Sequence, residues 1–377
     1  MKKKRFSWIH LALLLPVTAL LTAGVVLAVL YGLVGREGLS LLEGYRLVQS
    51  RFVGAYEPQQ VADAALEGMV DGLGDRWSYF LTREEYEAQN QRRTNQYVGV
   101  GVTVSYESEE GLPIRAVTPG GPAEAAGLLP GELITGVDGF SLAGEARYEG
   151  AERIQGQEGT TVVLEIRGTD GQTRSVEVTR ASLDSDPVSA RMLEDNVGYV
   201  SLSNFYDHSA DRLKEEVARL QEEGAEALIF DMRSNGGGYL HQLTDMLDFL
   251  LPDGPIFISR DRAGREEVTQ SDAACVDLPM AVLVNANTYS AAEFFAAELQ
   301  EQGVAVIVGE PTSGKGYSQQ TFELPNGSAV AISTGAYFTG SGVSLIGTGL
   351  TLDREVYLTE EGDAQLEAAL ELLKEGR

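Results

Sequence analysis

Apolar residues recur at helical spacing from Gly38 to about Gln91, in LLEGYRLVQSRFVGAY and then in VADAALEGMVDGL, which predicts two or three amphipathic helices. The period then changes. YVGVGVTV, starting at Tyr97, alternates, as do LPIRAV, GELITGVDG, TVVLEIRG and RSVEVTR, each set off by Gly, Pro or Asp-Gly turns. A compact β-rich module over residues 93–182 follows from this pattern. Beyond Asp186 strands alternate with helices: NVGYVSLSNF, ALIFDMR, MAVLVN and VAVIVGE read as strands, and SADRLKEEVARLQEEG, LHQLTDMLDFLL and SAAEFFAAELQEQG as amphipathic helices between them. Successive βα units with short apolar strands predict an α/β layer with parallel pairing. After Gly316 the helices stop, and Gln319 to Leu324 and Ser328 to Ser333 form a hairpin turning at Pro325-Asn326-Gly327.

The N-terminus adds a different signal. Ile9 to Val34 contains no charged residue, and about 20 apolar residues suffice to span a bilayer. Lys2, Lys3, Lys4 and Arg5 precede this run, while the first charge after it is Arg36. The positive-inside rule then leaves everything downstream outside the cytoplasm. Residues 1–36 thus read as a cytoplasmic tail and single transmembrane anchor, although ALLTAG leaves signal cleavage open. With 56 acidic and 29 basic residues the formal net charge is −27, which argues against nucleic acid as a partner. The single cysteine, Cys275, has no disulfide or zinc partner and reads as a small buried or half-buried apolar residue.

Candidate chemistry begins with GEPTSGKGYSQQ, Gly309 to Gln320, which resembles a phosphate-binding loop after a strand. Such a loop needs Ser or Thr directly after its Lys and then a helix. Here Gly316 follows Lys315, and the next segment is β-patterned. Lys315 is therefore either an exposed loop lysine or a group with another role. Ser290 opens a helix directly after a strand, near the positive end of the helix dipole, and Ser290 with Glu293 also forms the pattern of a capping box. A nucleophilic serine needs a base. Only His10, His208 and His241 exist, and no G-x-S-x-G elbow surrounds Ser290. A buried lysine can serve instead, because desolvation depresses its pKa. If the strands before Ser290 and Lys315 are parallel neighbours, both turns lie at one sheet edge. FDMRSNGGGYL, Phe230 to Leu240, ends a buried strand in an Asn and three glycines, which suits either a tight turn or an oxyanion hole.

Together these residues resemble the C-terminal processing peptidases, tail-specific serine proteases with a Ser-Lys dyad. The resemblance covers nearly all of the chain after the anchor. GDRWSYFLTREEYE is similar to that family's Asp-Pro-Tyr-Ser-x-Tyr-Leu stretch, and VTPGGPAEAAGLLPGELITGVDG resembles the family's PDZ signature. FDMRSNGGGYL resembles Asp-Leu-Arg-x-Asn-Pro-Gly-Gly with Gly236 in place of Pro, and GTGLTLDREV resembles the closing Gly-Ile-x-Pro-Asp motif with Leu352 in place of Pro. TYSAAE and GKGYSQ match the nucleophile and base motifs. The resemblance implies Ser290 as nucleophile, Lys315 as general base, Gln319 as its orienting partner, and the amides of Gly237 and Ala291 as oxyanion hole. It also implies a spiral, crotonase-like α/β core over residues 183–377, with an inserted PDZ domain at 93–182 and a helical segment at 37–92. The loop Tyr97, Val98, Gly99, Val100 and Gly101 is expected to cradle a substrate's C-terminal carboxylate, with the adjoining strand pairing to the peptide. No metal or cofactor is implied. The expected partners are proteins or peptides with free C-termini and the membrane, and self-association stays open. Two rival readings are a catalytically inactive PDZ scaffold at the membrane and a Ser-His hydrolase using His241.

Overall fold

The computed structural model describes residues 8–272, 274–359 and 362–375, so Lys2, Lys3, Lys4 and Arg5 lie outside the described residues. The chain divides into two units after Ala64. The N-terminal unit is dominated by the helix Trp8–Arg51, which contains Pro16 and a non-helical Gly35 at φ 66°. Among the described residues no single helix is long and apolar enough to cross a membrane. The segments Pro16–Val26 and Tyr31–Arg51 meet this test by length and composition only as a pair bent by 76°. The expected single transmembrane helix is thus not present as one continuous span among the described residues.

In the second unit the β-rich module is a sheet in the order Val102–Val104, Leu112–Val117, Leu133–Val137, Thr161–Arg167, Thr173–Thr179. Alternation does what the sequence pattern anticipates. Val162, Leu164 and Ile166 are buried and the residues between them are exposed, so one sheet face packs on Leu112, Ile114, Ile134 and Leu142. YVGVGVTV is not one strand. Gly101 takes φ 83°, and the segment before it, Gln96–Gly99, pairs antiparallel with Ala181–Asp184 instead of joining the module's sheet.

The remaining core holds two sheets. One has six strands in the order Val188–Met192, Val197–Leu202, Ala227–Asp231, Met280–Val284, Ala305–Gly309, Arg354–Glu355, all parallel except the first pair. Both faces of this sheet are buried, which explains its unbroken apolar runs. Leu228, Phe230, Val282 and Val284 face the helices Ser209–Glu222, Leu240–Leu250 and Ala291–Glu301, while Ile229, Ala281 and Leu283 pack with Ala369 and Leu373 of the C-terminal helix Ala364–Glu375. The second sheet is antiparallel and includes the hairpin Tyr317–Glu323 and Ala329–Phe338, the strand Tyr79–Leu81, and Gly254–Asp261 with Glu266–Ser271.

Two expectations change here. The helix Ala291–Glu301 is not amphipathic in place, because every residue from Ala291 to Leu299 is buried. The second sheet covers its outer face, with Phe294 edge-on to Phe257 and Tyr337 at ring separations of 5.4 and 6.0 Å. Cys275 is exposed rather than buried, since it lies in the irregular stretch between the second sheet and Met280–Val284.

Candidate active site

Three neighbouring parallel strands, Ala227–Asp231, Met280–Val284 and Ala305–Gly309, end at one sheet edge, the usual place for a ligand site in such sheets. The turns that follow them carry, in order, the glycine run 236–238, Ser290 and Lys315. Ser290, Lys315, Gln319, Gly236 and Gly238 line one cavity of about 640 Å³, a volume in the range of small-molecule and peptide-side-chain pockets.

Ser290 has φ 61° and ψ −127°, a conformation that costs an L-residue on the order of 1–3 kcal/mol and that clusters at functional sites. It is held there from both sides. Its amide donates to the Glu293 carboxylate at 3.0 Å and its carbonyl accepts from the Glu293 amide at 2.9 Å. Glu293 does more than return to the cap. It is fully buried, and its Oε2 also accepts the Lys315 amide at 3.0 Å, while Oε1 accepts the Gly314 amide at 2.8 Å and the Thr312 hydroxyl at 2.6 Å. One carboxylate oxygen thereby binds the backbone of Ser290 and that of Lys315. A capping pattern in the sequence signals the first bond, but nothing in the sequence signals the other three.

The Lys315 side chain lies 4.9 Å from the Trp77 ring centre and 5.6 Å from that of Tyr289. Burial, with a smaller push from the Arg93 cation, lowers its pKa to about 8, against the opposing pull of Asp75 and Glu293. Only Gly316 separates Lys315 from the strand Tyr317–Glu323, where a phosphate loop would continue into a helix.

Gln319 departs from its expected bond. Its amide nitrogen donates to the Tyr317 carbonyl at 2.9 Å and to the Ser333 hydroxyl at 3.2 Å, with no hydrogen bond to Lys315. The cause is a register shift between Ser318 and Gln319, which sets Gln319 opposite Ser333 on the partner strand. Ser333 in turn donates to Asp75 at 2.6 Å, as does Ser78 at 2.6 Å.

The glycine turn is also engaged. The Gly237 amide donates to Asn235 Oδ1 at 2.8 Å, so it is not free for an oxyanion in this structure. Ala291 opens the helix, where amides have no intrahelical acceptor. A Cβ on Gly237 would lie 2.8 Å from the Ala291 nitrogen and 3.0 Å from Ser290 Cβ, so only glycine allows this approach. At Gly236 a Cβ would meet the Tyr289 hydroxyl at 2.5 Å. The Tyr289 ring thus fills the space beside the position where the resembled motif has proline. Behind the turn, Arg233 bridges Asp231 at 2.6 Å and Asp363 at 2.8 Å, and the Tyr199 hydroxyl, which donates to Asp231, has its pKa pushed up to about 12 by burial and that carboxylate. This partly buried network ties the strand end to Asp363, just before the C-terminal helix.

His241 is exposed, stacks on Tyr239 at 5.3 Å and does not line the cavity with Ser290. His208 is exposed as well. Of the expected carboxylate loop, Tyr97, Val98 and Gly99 belong to the paired strand described above, while the carbonyls of Val100 and Gly101 accept from Ala123 at 2.8 Å and Thr118 at 2.9 Å. Tyr97, Gly99, Val100 and Gly101 line a small groove between the edge strand Val102–Val104 and Ala151, Ile154 and Gln155. Among the described residues no cluster of His, Cys, Asp and Glu is arranged to hold a metal ion.

Comparison with known proteins gives these features a family. Residues 196–356 match the model of peptidase family S41, and residues 114–168 match a PDZ domain. The chain is 33% identical over 327 residues to the carboxyl-terminal-processing protease of Synechocystis sp., covering 83% of this chain and 77% of that protein. It is 32% identical to carboxyl-terminal-processing peptidase 2, chloroplastic, of Arabidopsis thaliana, covering 77% of this chain but 59% of that longer protein. The solved structure of the photosystem II D1 C-terminal processing protease superposes with a TM-score of 0.52 at 26% identity, over 90% of this chain and 91% of that one. The chain belongs to peptidase family S41, among the carboxyl-terminal-processing serine proteases.

Proposed function

We propose that this protein is a membrane-anchored, extracytoplasmic endopeptidase that cleaves proteins near their C-termini through Ser290 and Lys315. The observation that carries this reading is the Glu293 carboxylate, which binds the backbone of both residues at the wall of one cavity. In the proposed reaction Ser290 Oγ attacks the scissile carbonyl and its proton passes to the neutral Lys315 amine. Collapse of the tetrahedral intermediate breaks the C–N bond, and Lys315 returns the proton to the leaving amine. Water, deprotonated by Lys315, then hydrolyses the acyl-enzyme. The Ala291 amide would donate to the oxyanion, joined by Gly237 once its bond to Asn235 opens. Gln319 would orient the lysine only after exchanging its bond to Ser333. The bent apolar segments at the N-terminus would supply the anchor.

A serine-directed reactive probe is expected to label the wild-type protein and to leave Ser290→Ala unlabelled. Labelling of both, or of neither, contradicts the reading, and absence of label from folded wild type favours the inactive scaffold.

The PDZ module would read the substrate's free C-terminus in the groove beside Val102–Val104, an edge strand open to β-addition. Amidating a peptide's C-terminus removes a charge-assisted hydrogen bond of about 1.5–3 kcal/mol, or roughly tenfold to a hundredfold in affinity. Fluorescence anisotropy on paired free and amidated peptides measures this, and equal affinities would remove carboxylate reading from the module.

A further inference from the structure

The helix Arg83–Arg93 is polar except for Ala88 and buries no residue, yet Tyr86, Gln89, Asn90 and Arg93 line the cavity that contains Ser290 and Lys315. Their spacing of three and four places them on one helical face. That face is not held by apolar packing. The helix is docked by polar bonds: the Arg83 guanidinium on the Asn326 carbonyl, Gln89 on the Tyr79 hydroxyl at 3.1 Å and, just past its end, Asn95 on the Asp207 carbonyl at 2.7 Å. On its cavity-facing stripe the side chains of Tyr86, Asn90 and Arg93 make no hydrogen bond among the described residues, which leaves them to meet a substrate.

Charge narrows what it meets. The protein carries a net charge of −27, but the cavity wall holds three cations, Arg76, Arg93 and Lys315, and no carboxylate. Arg76 bonds the Ser313 carbonyl at 2.7 Å and stacks over Trp77 at 4.3 Å. Lys315 is reserved for proton transfer. Arg93 is half-buried and forms no ion pair among the described residues; its side chain faces the Tyr239 ring at 5.9 Å. One helical turn away, Gln89 Oε1 is buried without a hydrogen-bond partner, while its amide nitrogen bonds the Tyr79 hydroxyl at 3.1 Å. A guanidinium presents a fork that matches a carboxylate, and the Gln89 carbonyl beside it is an acceptor whose bonding capacity the protein leaves unused.

We propose that Arg93, with Gln89 on the same helical face, is the specificity determinant of this site and binds a carboxylate of the peptide next to the scissile bond. The carboxylate is an Asp or Glu side chain or the substrate's own C-terminus. This inference rests on the peptidase reading for its biological sense, but binding alone tests it.

The experiment uses the full-length Ser290→Ala protein, which cannot turn over, and the same protein carrying Arg93→Gln or Arg93→Lys. One pair of C-terminally amidated peptides differs only by Glu or Gln beside the cleaved bond, and a second pair, without acidic residues, has free or amidated ends. The ratio of Kd values within each pair is insensitive to a general loss of fold. The parent is expected to favour the carboxylate peptide by about tenfold to a hundredfold. Arg93→Gln should bring that ratio close to one, and Arg93→Lys should leave part of it. Loss in the first pair identifies a side chain as the ligand, and loss in the second alone identifies the C-terminus. The proposal is overturned when neither pair shows a parent preference that Arg93→Gln removes. Wild-type protein that cleaves none of the peptides and resists the serine probe would instead count against the peptidase reading.

Discussion

Lys315→Met is expected to abolish peptide cleavage and, below pH 8, to make the protein more stable. The first effect follows from the loss of the proposed base, since a nucleophile and its base act as a unit and Ser290→Ala should be about as severe. Lys315→Arg should fail equally, because arginine stays protonated at any working pH. The second effect follows from burial. With the folded pKa lowered from 10.5 to about 8, folding at lower pH must place a charged amine in a poorly solvated site that methionine fills at no such cost. A depressed lysine pKa means that the unfolded chain binds more protons than the folded one between about 8 and 10.5. The penalty is fully present below pH 8 and fades as pH rises through that window. From the size of the shift, the gain on substitution is on the order of 3 kcal/mol at pH 6.

The same pKa sets the activity profile. In the proposed mechanism only the neutral amine accepts the serine proton, so kcat/KM should fall about tenfold per pH unit below about 8 and level off above it. At pH 7 about one lysine in ten is neutral, roughly three hundredfold more than at an unshifted pKa. Thermal melts of Lys315→Met from pH 6 to 10, with a pH–rate profile of the wild type, test both halves. Activity that stays flat from pH 6 to 8 would refute Lys315 as the base.

Glu293→Gln should lower kcat/KM by about a hundredfold or more, and Glu293→Ala should also destabilise the fold by about 3–5 kcal/mol. The carboxylate accepts four hydrogen bonds, from Ser290, Thr312, Gly314 and Lys315. Alanine leaves those buried donors unsatisfied. Glutamine keeps the shape but turns an NH₂ group toward two donors, which must move apart. Ser290 and Lys315 are bound through one oxygen, so a displacement of about 1 Å there separates nucleophile from base and is enough for the expected loss. A charge effect distinguishes positioning from mere packing. The Glu293 carboxylate pulls the Lys315 pKa up, so Glu293→Gln should move the acidic limb of the residual activity to lower pH. Full activity in Glu293→Ala, or an unmoved limb in Glu293→Gln, would refute this role.

Much of the architecture was legible because burial and period coincide. Thr161–Arg167 alternates in the chain and in space, and the apolar runs ALIFD and MAVLV form a sheet covered on both faces. The segment SAAEFFAAELQ misled for the complementary reason. Its polar positions read as a solvent face, yet Glu293 and Glu298 are both fully buried. Glu293 satisfies four donors, whereas Glu298 bonds the Gly340 amide at 2.6 Å and burial pushes its pKa up to about 8. A sequence carries no mark of which carboxylate will find donors in a distant loop.

Residue type and spacing alone determined the strand-to-helix junction at Ser290, the absence of a magnesium hydroxyl after Lys315, the run of three glycines and the acidic, histidine-poor composition, because these are local properties of the chain. The tertiary structure alone decided the rest. It set Gln319 against Ser333 through a one-residue register shift, engaged the Gly237 amide with Asn235, and surrounded Lys315 with Trp77 and Tyr289. It also turned one face of a predominantly polar helix, ending in Arg93, into the cleft. Hydrogen-bond partners, desolvation and charge balance depend on which distant segments are brought within about 3–6 Å of each other, and neither periodicity nor motif encodes that distance.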